Sequence, residues 1–206
     1  MALINSVISW INIKRIFQIQ LYREHPHEIQ NEQLLGLLNN AKRTEWGKEH
    51  KFSDISSVTG FQQAVPLQTY EEIKPFVERL RAGEKDLLWP GEVKWFAKSS
   101  GTTSDKSKFI PVTKESLEDC HMRGPKDVFA AYIKNYPETK VLKGKMLTLG
   151  GSHRINNFSN NSYYGDLSAI LIENLPFWTD IIRIPPAEIA LIEEFEEKVE
   201  KIIDTS

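Results

Sequence analysis

Apolar residues recur at helical spacing over much of the first third of the chain. In "MALINSVISWINIKRIFQIQ", Ile4, Ile8 and Ile11 share a face with Arg15, and Ile19 follows, which predicts an amphipathic helix. Leu34, Leu35, Leu37, Leu38 and Ala41 repeat the pattern in "NEQLLGLLNNAKRTEWGKEHK". Trp46 closes that helix, with Gly47 as its expected C-terminal stop. A short helix is expected from about Ser57 to Pro66, because serine caps well and proline cannot continue a helix. Thr69 followed by Glu72 reads as a capping box, opening a helix that stops at Gly83. Pro75 inside it calls for either a kink or a late start.

Beyond Pro90-Gly91 the pattern changes. "EVKWFAKSS" is rich in aromatic and β-branched residues and predicts a strand, and "KFIPVT" predicts a second. Thr113 is the expected cap of a helix through "KESLEDCHMRGPKDVFAAYIKNYP", broken or bent at Gly124-Pro125. "KGKMLTLGGS" reads as a buried apolar strand and "HRINNFSNNSYYG" as a polar loop. Asp166 caps "LSAILIENL", which Pro176 ends. The clearest helical stripe is the last, Ile189, Ile192, Phe195, Val199 and Ile202. It runs almost to Ser206 with nothing after it to cover it, which suggests a docking helix or a chain cut short. A helical first third followed by strands alternating with helices predicts an α/β fold.

Composition narrows the function. With 26 basic and 28 acidic residues the formal charge is -2, so no global charge favours nucleic acid or an acidic membrane. The apolar N-terminal run is interrupted by Asn5, Ser6, Ser9 and Asn12 and is too short to span a bilayer. Its expected role is packing, with no membrane partner. A single cysteine, Cys120, excludes an internal disulfide and suits the cytoplasm. It reads as a half-buried small residue on a helix rather than a catalytic thiol. His25, His27, His50 and His121 read as surface or packing residues, and no metal site stands out.

The stretch with chemistry is "SSGTTSDKSK", between the two predicted strands. Loops hold anions with backbone N–H groups, hydroxyls and ammonium groups. Ser99, Ser100, Thr102, Thr103 and Ser104 supply hydroxyls, Gly101 allows close approach, and Lys106 and Lys108 supply charge. A Walker A loop requires a second glycine before its Lys-Ser pair and runs into a helix. Here that glycine is missing and a strand follows. A dinucleotide G-x-G-x-x-G fails with one glycine. What stands here is strand–loop–strand with a lysine at its end.

"SSGTTSDKSKFIPVT" closely resembles the first ATP-binding motif of the adenylate-forming superfamily of acyl-CoA synthetases and luciferases. Within it the chain is most similar to the auxin-responsive acyl acid–amido synthetase family, known from plants and bacteria. The family's Ser-Ser-Gly-Thr-(Ser/Thr) and later lysine match Ser99, Ser100, Gly101, Thr102, Thr103 and Lys108. "LLNNAKRTEWGKEHKF" and "VPLQTYEEIKPFVERLRAGEKDLLWPG" resemble the segments that precede the motif. Asp105 is a departure, standing where the plant motif usually has glycine. Beside a triphosphate its carboxylate must turn outward or help a magnesium ion.

The resemblance implies a ligase using ATP and Mg2+. A carboxylic acid would be activated as its acyl-adenylate, and an amine, typically of an amino acid, would displace AMP. It assigns Ser99, Ser100, Thr102 and Thr103 to the β- and γ-phosphates, with Lys108 as counter-charge and Lys106 as a weaker candidate. It also implies that residues 1–206 are the N-terminal part of a larger adenylate-forming domain. On this expectation residues 1–85 are mainly helical and 86–206 are α/β, carrying the phosphate loop at 99–108 and the first part of the sheet with flanking helices. The family's mobile C-terminal domain, with its catalytic lysine, is expected to be absent, so no catalytic residue is assigned and the piece is expected to be inactive alone. "SYYGD" superficially resembles the family's late Tyr-Arg-x-Gly-Asp ribose motif, but lacks the arginine and comes early, so Asp166 stays a helix cap. "GGSHR", with His153, reads equally as a ligand-side sheet edge or a plain turn. The competing class is a non-catalytic interaction module with a vestigial nucleotide loop.

Overall fold

The computed structural model describes residues 2–99, 108–141, 144–150, 156–157, 162–176 and 179–205. The chain divides into two units that interleave in sequence. A helical unit takes residues 1–67, 86–90 and 118–139. A sheet unit takes residues 68–85, 91–117 and 140–206.

In the helical unit, α1 (Ala2–Glu24) and α2 (Pro26–Ala41) are followed by the short α3 (Glu45–Glu49) and α4 (Val58–Ala64). Leu38, Ala41 and Phe52 form the buried centre, with Leu34, Leu35, Trp46, Ile55, Phe61 and Trp89 packed against it. The spacing thus predicts Leu34, Leu35, Leu38 and Ala41 on the inner face of α2, whereas Leu37 is exposed and α2 starts earlier than expected, at Pro26. Gly47 is not a stop. It lies inside α3, whose N-cap Thr44 accepts a hydrogen bond from the Gly47 N–H at 3.0 Å. A Cβ at Gly47 would stand 2.1 Å from the Ala41 carbonyl oxygen, so the glycine is there for close backbone approach. Ser57 caps α4 as expected, accepting from the Gly60 N–H.

The segment after Thr113 departs from a single helix. Ser116–His121 form a π-helical turn, and α6 (Arg123–Asn135) starts afresh after it, with Gly124-Pro125 in its first turn. Thr113 does cap the start, accepting from the Ser116 N–H at 3.1 Å. Cys120 is exposed rather than half-buried. Arg15 of α1 clasps Asp127 of α6 through Nε–Oδ1 at 2.5 Å and Nη2–Oδ2 at 2.7 Å. The hydrogen bonds from Arg15 hold the Asp127 carboxyl below its ordinary range.

In the sheet unit, α5 (Tyr70–Arg81) begins directly after Thr69, so Pro75 is accommodated inside the helix without a late start. Glu72 accepts hydrogen bonds from the Thr69 N–H at 2.6 Å and the Thr69 hydroxyl at 2.7 Å. These bonds lower its pKa, the backbone bond most. β1 (Trp95–Lys98) pairs antiparallel with β2 (Phe109–Val112), as two predicted strands around one loop.

β3 (Met146–Leu147) is short and exposed, not the buried strand expected of "KGKMLTLGGS". It pairs in parallel with β6 (Arg183–Ile184), apart from the main sheet. The supposed polar loop supplies two strands to that main sheet, β4 (Asn156–Asn157) and β5 (Tyr163–Gly165), in the order β2-β1-β5-β4. β5 runs parallel to β1, with Trp95 opposite Tyr163 and their rings 5.1 Å apart. That aromatic cross-strand pair holds the join. α7 (Leu167–Glu173) follows, and its Ile170 packs with Ala97, Val112 and Leu117. Asp166 occupies the N-cap position of α7, but its side chain makes no capping bond; its carbonyl accepts from the Ile170 N–H.

The chain's last stripe is split. α8 (Thr179–Ile182) precedes β6, α9 (Ala187–Ala190) follows it, and α10 (Phe195–Thr205) restarts after a break. Phe195 is exposed and Lys198 is buried, with its ammonium donating to the Gly150 carbonyl at 3.1 Å. An apolar period survives a short interruption in the helix, so the pattern predicts the half-buried Val199 and Ile202 but not the break.

Candidate functional site

The loop expected to hold phosphate joins β1 to β2. Ser100, Gly101, Thr102 and Thr103 lie outside the described residues, as do Asp105 and Lys106. Ser99 and Lys108, the loop's two ends, are described. They face each other one step beyond the Lys98–Phe109 pair of the strands. The Ser99 N–H donates to the Lys108 carbonyl at 2.9 Å, and the Lys108 N–H donates to the Ser99 Oγ at 3.2 Å. The mouth is therefore closed by a backbone bond and a hydroxyl acceptor. Accepting that bond leaves the Ser99 hydroxyl its own hydrogen to donate.

The exit of the loop is gripped from α5. Tyr70, the first residue of that helix, accepts from the Phe109 N–H at 2.9 Å through its hydroxyl. The Lys108 ammonium lies 5.4 Å from the centre of the Tyr70 ring. Arg81, at the other end of α5, stacks over the Phe109 ring at 4.0 Å, and Tyr164 of β5 meets that ring edge-on at 5.3 Å. Lys108 remains exposed and makes no ion pair with a carboxylate among the described residues. Among the described residues its charge meets an aromatic face and no carboxylate.

Nothing in the sequence ties Tyr70, Arg81 or Tyr164 to the loop. Tyr70 precedes Phe109 by 39 positions, and only the sheet's placement against α5 brings them together. Of "GGSHR", Gly150 is described and His153 lies outside the described residues. A Cβ on Gly150 would stand 2.8 Å from Ile172 and 2.9 Å from the Ala190 carbonyl oxygen, so this glycine serves close packing. His50 is a packing residue: its Nδ1 donates to the Ala64 carbonyl at 2.9 Å, and its ring lies 4.2 Å from that of Trp46. Among the described residues no group of three or more His, Cys, Asp and Glu gathers as a metal site. No described helix is long and apolar enough to cross a membrane.

Residues 15–206 match the model of the GH3 family N-terminal domain. The chain belongs to the GH3 family. An indole-3-acetic acid-amido synthetase of Arabidopsis thaliana, GH3.2, is 26% identical to this GH3 chain over 117 residues, 56% of the chain and 21% of that protein. The jasmonoyl–L-amino acid synthetase JAR4 of Nicotiana attenuata is 28% identical over 137 residues, 64% of the chain and 22% of that protein. Matched regions of this GH3 chain thus span about a fifth of the length of these curated relatives. The solved GH3.15 acyl acid amido synthetase shares the fold with a TM-score of 0.69 at 22% identity, over 85% of this chain and 30% of that one. The mixed helix-and-sheet architecture is that of the N-terminal region of GH3 acyl acid amido synthetases.

Proposed function

We propose that this GH3 chain supplies the phosphate-binding portion of an ATP-dependent acid-amido synthetase acting in the cytoplasm. One observation carries the reading. Ser99 and Lys108 meet at the mouth of a Ser/Thr/Gly/Lys loop held between two strands, in a chain of the GH3 family. A P-loop would run from its strand into a helix, whereas β2 follows here.

The donor set suits polyphosphate. Hydroxyls of Ser99, Ser100, Thr102 and Thr103 would contact the β- and γ-phosphates, Gly101 would let the backbone approach, and Lys108 would balance charge, with Lys106 as a further cation. Magnesium would accompany ATP and offset phosphate charge. A carboxylate oxygen of the acid would bond to the α-phosphorus as pyrophosphate leaves. The nitrogen of an amine, in this reading an amino acid, would then bond to the acyl carbon as AMP leaves and a proton is lost. Preorganised donors favour such steps because charge develops on phosphate oxygens. Residues 1–206 would form the N-terminal part of a larger adenylate-forming domain, mainly helical over 1–85 and α/β over 86–206. The remaining substrate contacts would come from outside the chain, and the 206 residues would not turn over alone.

The test pairs a binding and a turnover assay. MgATP should raise the melting temperature of the chain, and Lys108→Met should remove most of that rise. Pyrophosphate release with a panel of carboxylic acids should stay at background. A chain indifferent to MgATP would overturn the binding reading, and robust release would overturn the claim of inactivity.

A further inference from the structure

We infer that Tyr70 is a positioning residue for Lys108, holding the ammonium at the exit of the loop ready for phosphate. The inference rests on the phosphate-loop reading and assigns a part of that site that the motif does not contain.

Lys108 stands at the exit of the loop, one residue before β2. Its long stem has many rotamers, and fixing the ammonium on an anion costs conformational entropy. A carboxylate partner could fix it beforehand, but would neutralise the charge the phosphate needs. Lys108 has no such partner among the described residues. An aromatic face is the alternative, since it attracts a cation within about 6 Å of its centre without cancelling its charge. The Tyr70 ring stands 5.4 Å from the ammonium.

Tyr70 is itself held at both ends. Its backbone is fixed at the start of α5, where the Glu72 carboxylate accepts from Thr69. Its hydroxyl accepts the Phe109 N–H at 2.9 Å, in the residue next to Lys108. One side chain thus grips the first peptide of β2 with its hydroxyl and offers its ring to the neighbouring lysine. The two contacts separate chemically: Tyr70→Phe keeps the ring and loses the hydroxyl bond, and Tyr70→Leu loses both.

The experiment uses the full 206-residue chain and its Tyr70→Phe, Tyr70→Leu, Lys108→Met and Tyr70→Leu/Lys108→Met variants. Without nucleotide, the ε-methylene protons of Lys108 should resonate upfield of other lysines, shifted by the ring current. Tyr70→Phe should keep that shift and Tyr70→Leu should abolish it. By titration with MgATP, and separately with magnesium tripolyphosphate, Tyr70→Leu should weaken binding by about two- to fivefold, the range a cation–π contact supplies. Tyr70→Phe should stay near wild type. In the Lys108→Met background, Tyr70→Leu should add no further loss. The inference falls if the wild-type Lys108 resonance is unshifted. It falls equally if Tyr70→Phe loses as much as Tyr70→Leu, or if the loss persists without Lys108, since Tyr70 would then act only on the strand. Failure of wild type to bind either polyphosphate would overturn the phosphate reading instead, while the nucleotide-free resonance still decides the Tyr70–Lys108 pairing.

Discussion

The helical unit and the sheet unit are assembled by different means. In the helical unit, caps and apolar spacings lie within a few residues of the elements they define. Thr44 caps α3 and packs it against the end of α2, and Ser57 caps α4. The sheet unit is built from strands of two to four residues that are too short to be stable alone. Its central strand, β1, depends on β5, a segment some 70 positions later. Local signals therefore define the elements of the first unit, which Arg15–Asp127 and the backbone bonds from Glu45 and Trp46 to Asp86 and Leu87 then tie together, whereas the strands of the second exist only through long-range pairing. The candidate site belongs to the second, where β1, β2 and α5 converge.

The largest expected effect lies in the sheet unit. Phe96 is fully buried in the centre of β1, and Phe96→Ala should cost about 3–5 kcal/mol through the cavity it leaves. Urea unfolding would read this, and hydrogen exchange should show lost protection at the β1, β2 and β5 amides. A cost under about 1 kcal/mol would mean that the sheet does not depend on its centre.

Next comes Gly47→Ala in the helical unit. The added Cβ meets a backbone carbonyl that cannot rotate away, and the expected loss is about 3 kcal/mol. A neutral result would show that the approach of α3 to Ala41 is softer than its geometry.

Asp127→Asn is the helical unit's one long-range test. Removing a bidentate, charge-assisted partner of Arg15 should cost about 2 kcal/mol. The folded pKa of Asp127 is depressed, so its contribution is full above the ordinary carboxyl value of 3.8 and is lost as pH falls through the lower folded value. Melting curves against pH should show this acid-side loss in wild type, reduced in the variant. Parallel curves would detach α1 from Asp127.

The smallest effect is expected from Glu72→Gln at the exposed start of α5. Glu72 is likewise depressed, so its help to the helix should fade as pH drops below 4.5. Exchange at the first-turn amides of α5 is the sensitive measurement, and the variant should lack that pH dependence.

The meeting of Ser99 and Lys108 was legible because both end one short polar run between two strand patterns, a run whose residue types suit an anion. Tyr70, Arg81 and Tyr164 were not, because no spacing links α5 or β5 to Phe109. The same reason explains the misread polar loop. "NNSYYG" contains few apolar residues, yet Tyr163 and Tyr164 become strand residues once Trp95 and Phe109 offer ring partners. Lys198 shows the converse, since a charged residue type that usually stays in solvent is buried where the Gly150 carbonyl meets it.

What depends on near neighbours can be read along the chain: the inward positions Leu34, Leu35, Leu38 and Ala41 of α2, the caps at Ser57, Thr69 and Thr113, the paired strands around the loop, and a motif whose residue types suit phosphate. Tertiary structure decided what depends on distant partners. It placed β5 beside β1, made Gly47 a contact point instead of a stop, split the last helix, joined Arg15 to Asp127, and set Tyr70 against Lys108. Backbone preference and capping act over a few residues, so they can be read along the chain. Pairing and burial act across space, so they exist only once the fold has brought the partners together.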